Sequence, residues 1–295
     1  MATYWREKFL ETKTQELFGN TTTNQRHGFS LRFHPENRQQ THAQIATAIQ
    51  QQVGEEKTFS PEGINQTINQ IVKRIRDNWG EAMAADGIDL SQLQAPRGGQ
   101  KQKQKPPWQV AYDWLWETEF PRWQGRQIWQ SWIKQADQYR EWLRFEPPEE
   151  AATMGTTGMK NNNKPLQPQK ITVNREYNAI VDLKRYLHRP WLFLNRGDNG
   201  GLVVSPSRDF APEAEITHHP LLLPQEEADM KTIEFEEPMT EEFVAIVLTH
   251  PIHLPWFGEK PTPEWDGLRL GELWEQLQKQ PEWFVFYRAI EVCDG

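Results

Sequence analysis

The sequence predicts an α+β protein, with an α-helical N-terminal half and an antiparallel β-sandwich-like C-terminal domain. Up to about residue 145, apolar residues recur every three or four positions, which is the period of an amphipathic helix. Beyond about residue 170 they alternate or form short runs between turn residues, as strands do. The charge divides at a similar place: residues 1–146 hold 19 Lys and Arg against 17 Asp and Glu, whereas residues 147–295 hold 14 against 24.

Residues 1–93 are predicted to form a helical domain. An amphipathic helix is predicted over residues 4–18, where the apolar positions share one face. Further along, Phe29, Leu31 and Phe33 alternate with polar residues, and this alternation predicts a short strand.

Two more helices are predicted in the same domain. The first begins at a capping box, in which the Thr41 hydroxyl and the Gln44 side chain each bind a free backbone N–H. The second begins at Ser60, has Pro61 in its first turn and is predicted to end at Gly80. Their apolar stripes consist of Ile45, Ile49 and Val53 in the first and Ile64, Ile68, Ile71, Val72 and Ile75 in the second.

Residues 94–107 and 146–169 lack apolar periodicity and are predicted to be linkers. Between them, residues 108–145 are predicted to be a Trp-rich segment of two helices, interrupted near Pro121. Two helices alone cannot easily bury this many aromatic rings, which predicts either an interface with a partner protein or an internal core. The candidate interface residues are Trp114, Trp116, Trp123, Trp129, Trp132 and Trp142.

Residues 170–295 are predicted to form a β-rich domain with one helix over residues 269–279. Residues 195–201, with three glycines and two asparagines, have the chemistry of a hairpin turn. Seven short strands are predicted at residues 171–173, 180–183, 191–194, 202–204, 232–235, 243–248 and 284–292.

Several motifs of this domain occur in a familiar order. They are Trp191-Leu-Phe-Leu-Asn-Arg-Gly197, Ser205-Pro-Ser-Arg-Asp-Phe-Ala-Pro212, Leu222-Leu-Pro224, Glu241-Glu-Phe-Val-Ala-Ile-Val247 and Leu254-Pro-Trp256. Residues 170–295 thereby resemble the bacterial domain of unknown function numbered 4384, which is common in cyanobacteria and often appended to caspase-like peptidases or kinases. The resemblance implies a β-rich accessory domain without established catalytic residues.

A candidate nucleic-acid-binding surface lies on the longest predicted helix. Gln66, Asn69, Lys73 and Arg76 are spaced by three or four residues, so one face of the helix carries all four. Amide side chains pair with adenine edges, and Lys or Arg with guanine or phosphate. The same pattern is also typical of an ordinary solvated helix face, and both interpretations stay open.

The sequence predicts no metal, cofactor or catalytic residue. A hydrolytic site would need Asp209, His218 and His250 to converge, and their spacing does not require it. The neighbouring carboxylates of Glu236 and Glu237 are interpreted as solvated. A single cysteine also excludes a disulfide framework.

These observations favour a non-enzymatic, cytoplasmic adaptor or regulatory protein of a bacterial signalling or conflict system, acting through contacts with another protein. The alternative is a nucleic-acid-binding regulator with a helix-turn-helix-like N-terminal unit. Arg6, Glu7 and Lys8 argue against a signal peptide, and no apolar run approaches the roughly 20 residues that span a bilayer, so no membrane partner is expected.

Overall fold

The computed structural model describes residues 2–20, 24–53, 61–94, 105–137, 141–149, 167–197 and 200–295. The chain divides into two compact units, Met1–Gln124 and Gly125–Gly295. The boundary falls inside the predicted Trp-rich segment, which therefore contributes residues to both units. Of the two predicted linkers, residues 95–104 and 150–166 lie outside the described residues.

The first unit is helical, as predicted. Its helices are α1 (Ala2–Phe18), α2 (Asn24–Arg32), α3 (His42–Val53), α4 (Pro61–Ala85) and α5 (Pro107–Trp114), followed by a π-helical turn over Leu115–Glu119 and the start of α6 (Phe120–Gln135). The π-helical turn precedes Pro121, where the sequence predicts an interruption. Because a proline has no backbone N–H, it cannot donate the regular helix hydrogen bond. The change from α-helical to π-helical hydrogen bonding therefore lies next to Pro121.

The capping box of α3 is confirmed. The Thr41 backbone N donates to Gln44 Oε1 at 2.8 Å, and the Gln44 backbone N donates to Thr41 Oγ1 at 3.3 Å. The predicted stripe of α4 is also confirmed, because its apolar side chains are buried. They are Ile64, Ile68, Ile71, Val72 and Ile75.

Two predictions for this unit are wrong. Phe29, Leu31 and Phe33 do not form a strand, because α2 extends from Asn24 to Arg32. Phe29 and Phe33 are four residues apart, and on a helix that spacing stacks their rings, with centroids 4.9 Å apart.

Gly80 does not end α4, which continues to Ala85. Gly80 is buried close to Leu90. The chain leaves the helix instead two residues after Ala85, through Gly87, whose φ of +82° is the left-handed conformation that commonly terminates a helix. The Ile88 backbone N then donates to the Met83 carbonyl at 2.9 Å.

The second unit contains two sheets, most of α6 and one further helix. Its strands are β1 (Leu143–Glu146), β2 (Gln169–Thr172), β3 (Glu176–Val181), β4 (Trp191–Gly197), β5 (Gly200–Ser205), β6 (Leu221–Leu223), β7 (Ile233–Glu234), β8 (Met239–Leu248), β9 (Glu264–Trp265) and β10 (Trp283–Cys293), and its helix α7 is Gly267–Leu277. The larger sheet has the order β2-β10-β8-β4-β5-β9, and the smaller has the order β1-β3-β6 with β7 also paired to β3. The named strands pair in antiparallel fashion, except that β2 is parallel to β10.

The core of this unit lies between the two sheets. In the larger sheet, the ring centroids of Phe193 and Phe243 are 5.6 Å apart. From the smaller sheet, Trp142, which precedes β1, lies 5.7 Å from Phe193, and Phe145 of β1 lies 5.3 Å from Phe243. Alternate residues of a strand face opposite sides, so Glu242, next to Phe243, faces away from this core. On that side, Trp129 of α6 contacts Glu242. The two sheets with a shared core between them are sandwich-like, as predicted.

The seven predicted strands correspond to β2, β3, β4, β5, β7, β8 and β10, and the predicted helix to α7. The prediction that residues 108–145 are helical throughout is wrong at its end, because Leu143–Glu146 is a strand paired with β3. No helix in the described ranges is both long and apolar enough to cross a bilayer.

The side chain of Gln169 forms the hydrogen bonds that a neighbouring strand would otherwise make with Phe145 of β1. The Gln169 Nε2 donates to the Phe145 carbonyl at 2.6 Å, and the Phe145 backbone N donates to Gln169 Oε1 at 2.9 Å. The amide therefore satisfies both backbone groups of Phe145, as a neighbouring strand would.

Candidate functional site

An acidic groove of about 540 Å³ lies in the second unit, next to the hairpin of β4 and β5. We use this name for the cavity lined by Asn195, Gly197, Gly200, Gly201, Leu202, Glu234, Phe235, Glu236, Glu237, Met239, Glu241, Glu264 and Trp265. Five of these residues are glutamates, and they come from β7, β8, β9 and the connection that follows β7. The topology of the sheet thus brings together carboxylates that are distant in the sequence.

Glu241 is the most deeply buried of the five glutamates, with 7% of its surface exposed. The Asn195 Nδ2 donates to one carboxylate oxygen of Glu241 at 2.5 Å. The other oxygen lies so close to Gly197 that a β-carbon there would be 2.6 Å away. A side chain at residue 197 would therefore displace this carboxylate.

Trp265 is held rigidly beside the hairpin. Its Nε1 donates to the backbone carbonyls of Asn195 and Leu202 at 3.1 and 3.2 Å. Its ring stacks on Trp129, with centroids 5.1 Å apart and an interplanar angle of 22°. These contacts fix the indole before any ligand binds.

The glutamates of the groove differ in how far their charges are compensated. Glu264 is paired with Lys260 at 2.8 Å, and this hydrogen bond lowers the pKa of Glu264. Among the described residues, no cationic side chain lies within 4 Å of Glu234, Glu236 or Glu237. Glu234, Glu236 and Glu237 are exposed, so their negative charges add to one solvent-facing potential, which favours a cationic ligand.

A hydrogen-bonded cluster around Glu242 supports the hairpin from the opposite face of the sheet. The carboxylate accepts hydrogen bonds at 2.9 Å from Trp129 Nε1 and from the Tyr287 hydroxyl, and Arg196 lies 3.8 Å away. Burial, and then the hydrogen bond to Glu242, raise the pKa of Tyr287. Glu242 is thus satisfied by side chains of this unit, and it positions the strands.

The predicted tryptophan interface is corrected by the structure. Five of its six residues are at most 5% exposed, namely Trp114, Trp123, Trp129, Trp132 and Trp142. The sixth, Trp116, is partly buried, and its Nε1 donates to the Phe33 carbonyl at 2.8 Å. The rings pack against other side chains of the protein. Trp123, for example, packs edge-on against Trp5 and Phe9. They supply core rather than a binding surface.

The predicted nucleic-acid residues do lie together on one face of α4. Gln66, Asn69 and Lys73 are exposed, and Arg76 is partly exposed. The Arg76 guanidinium is paired with Asp77 at 3.0 Å, which reduces the positive charge of this face. Residues 54–60, between α3 and α4, lie outside the described residues.

The residues considered for a hydrolytic site have separate hydrogen-bond partners. Thr262 donates to the Asp209 carboxylate at 2.5 Å, whereas the His218 ring contacts the Thr217 hydroxyl at 3.0 Å. Within the described part of the chain, no three His, Cys, Asp or Glu side chains are arranged to hold a metal ion.

The acidic groove was not predicted from the sequence. Glu236 and Glu237 are exposed, as predicted, and the excess of ten negative charges over residues 147–295 was the signal that pointed to an acidic surface. Comparison with known proteins adds no relative: no family model matches the chain, and no curated protein and no solved structure gives a significant match.

Proposed function

We propose that this protein is a non-enzymatic adaptor or regulator whose second unit binds a cationic segment of a partner protein in the acidic groove. The observation that carries the proposal is that Glu234, Glu236 and Glu237 line one cavity without a cationic partner among the described residues. A Lys or Arg side chain entering the groove would relieve their mutual repulsion.

The size and walls of the groove favour a peptide side chain over a small ion. A volume of about 540 Å³ exceeds the needs of a single cation and is in the range of organic ligand pockets. Phe235 and Trp265 line it together with the carboxylates. Aromatic rings pack well against the aliphatic stem of Lys and against the guanidinium of Arg.

The biological setting is proposed from the resemblance of residues 170–295 to an accessory domain of bacterial signalling proteins. Such a domain is joined to enzymes without supplying their chemistry. A groove that binds a charged segment suits this role, because charge complementarity provides specificity and rapid association. An adaptor of a bacterial signalling or conflict system is therefore the proposed function.

The test uses a fluorescent octapeptide of alternating Lys and Gly. We expect binding that weakens between low and high salt, because salt screens exposed charges. The variant E236Q/E237Q should bind about tenfold more weakly, since each lost pairing costs up to roughly 1 kcal/mol. The control E226Q/E227Q removes two exposed carboxylates outside the groove.

The control should bind like the unmodified protein. Equal affinity of the groove variant and the control for the peptide would contradict the proposal. Circular dichroism of each variant establishes that the fold is retained.

A second candidate function rests on the exposed face of α4. Because Gln66, Asn69, Lys73 and Arg76 lie on one helix face, this unit can also be proposed to bind nucleic acid. The variant K73A/R76A should then weaken binding to duplex DNA and reduce its salt dependence. Unchanged or absent DNA binding in gel-shift measurements would exclude this candidate.

A further inference from the structure

The chain itself contains a segment whose charge complements the acidic groove. Between Asp89 and Asp113 the sequence has four basic residues and no acidic one. Three of the four are the lysines of the run Gln100-Lys-Gln-Lys-Gln-Lys105. We call this run the lysine segment.

The spacing of the lysines also fits the groove. In an extended chain, alternate side chains point to the same side and are about 6.5 Å apart. The lysines of the lysine segment occupy alternate positions, and so do Glu234 and Glu236 on either side of Phe235. The Asn174 backbone N donates to the Phe235 carbonyl at 2.8 Å, which continues the pairing of β7 with β3. An extended lysine segment would thus present its ammonium groups at the same interval as these two carboxylates.

We infer that the acidic groove binds the lysine segment of a second copy of this chain, so that the protein associates with itself. The inference rests on the proposed function, namely that the groove takes a cationic segment. Lys105 is paired with Asp113 at 2.8 Å, but its side chain is 67% exposed, and such pairs exchange at little cost. Mutual exchange of segments would close a dimer, and one-way binding would build a longer assembly.

Sedimentation velocity of the full chain over a range of concentrations tests this. The sedimentation coefficient should rise with concentration at low salt and stay constant at high salt. K101Q/K103Q removes charge from the lysine segment, and E236Q/E237Q removes it from the groove. Each variant alone should remain monomeric at concentrations where the unmodified protein associates.

An equimolar mixture of the two variants is the decisive sample. The first variant keeps an intact groove and the second an intact lysine segment, so the mixture should recover association that neither shows alone. This recovery cannot come from misfolded protein. The matched control K184Q/K279Q removes two exposed lysines elsewhere and should associate normally.

A labelled peptide with the sequence of residues 96–106 separates this inference from the proposed function. It should bind the K101Q/K103Q variant, whose groove is intact. If the peptide binds but the full chain stays monomeric, self-association is refuted and the groove function stands. If the full chain associates equally well after E236Q/E237Q, association through the acidic groove is refuted. If neither this peptide nor the Lys-Gly octapeptide binds, the proposed function itself fails.

Discussion

The indole ring of Trp265 lies flat against Gly201, so closely that a β-carbon on this glycine would fall 1.9 Å from the ring atom Cε2. The backbone of β9 pairs with β5 at the same place, where Gly201 is opposite Trp265. The edge of the larger sheet and one boundary of the acidic groove therefore both depend on the absence of a side chain at residue 201.

The substitution Gly201→Ala should displace Trp265 and separate β9 from β5. We expect a loss of about 2 kcal/mol in the free energy of unfolding, because overpacking of this kind costs roughly 1–3 kcal/mol. Urea denaturation measures it. The control Gly258→Ala adds a methyl group where no other atom lies within 4 Å. Similar stabilities of the two variants would show that the ring can move freely.

The stability of the second unit should fall at alkaline pH because of Tyr287. Its pKa is raised in the folded state, so the unfolded chain loses the phenolic proton first, near pH 10. The free energy of unfolding should therefore decrease as pH rises above about 10. Tyr287→Phe should make this decrease smaller, while the exposed Tyr4→Phe should not. Urea unfolding at several pH values checks the difference in slope.

In the helical unit, Lys13 and Glu119 form a buried ion pair. Their Nζ and Oε1 atoms are 3.0 Å apart, and the side chains are 8% and 10% exposed. Lys13→Met should destabilise the protein by about 3 kcal/mol, because it leaves a carboxylate buried without its main cation. The double variant K13M/E119L should regain much of this loss. Additive losses in thermal or urea unfolding would count against a coupled pair.

Arg32 is a buried cation whose guanidinium bonds backbone carbonyls. It donates to the carbonyls of Gln40 and Arg38 at 2.6 and 2.8 Å and lies 3.6 Å from the centre of the Trp108 ring. Burial lowers the pKa of Arg32 to about 10, so it stays charged at neutral pH.

The substitution Arg32→Lys keeps the positive charge. It removes the planar guanidinium group, which donates to two backbone carbonyls and stacks on the Trp108 ring. We expect a loss of about 2 kcal/mol in unfolding free energy. The exposed Arg6→Lys is the control. An effect of Arg32→Lys no larger than that of the control would mean that charge alone suffices.

The elements that could be predicted are those whose own residues determine them. The long stripe of α4 and the capping box at Thr41 are local patterns, and so is the apolar run of β8. By contrast, β1, β6 and β9 have two to four residues each, and pairing with distant strands determines them. The spacing of Phe29 and Phe33 fits either a strand or one turn of a helix, and packing against neighbouring helices decides in favour of the helix.

The acidic groove could not be predicted for a similar reason. Glu234, Glu241 and Glu264 belong to three strands that meet only through the topology of the sheets. Composition did indicate an unusual amount of aromatic surface, but it could not show which rings are buried. The Trp129 ring is buried partly by stacking on Trp265, which lies more than a hundred residues later in the sequence.

The amide of Gln169 has a consequence for how this chain can change during evolution. Because it bonds both backbone groups of Phe145, the chain leaves β1 and enters β2 at nearly the same point. The entropy of closing a connection between such neighbouring points grows only slowly, by about 0.6 kcal/mol for each doubling of its length. We therefore expect the connection between Glu149 and Gln167 to accept an inserted domain or new chain termini, provided that the Gln167 carbonyl keeps its 2.9 Å hydrogen bond from Arg288 of β10.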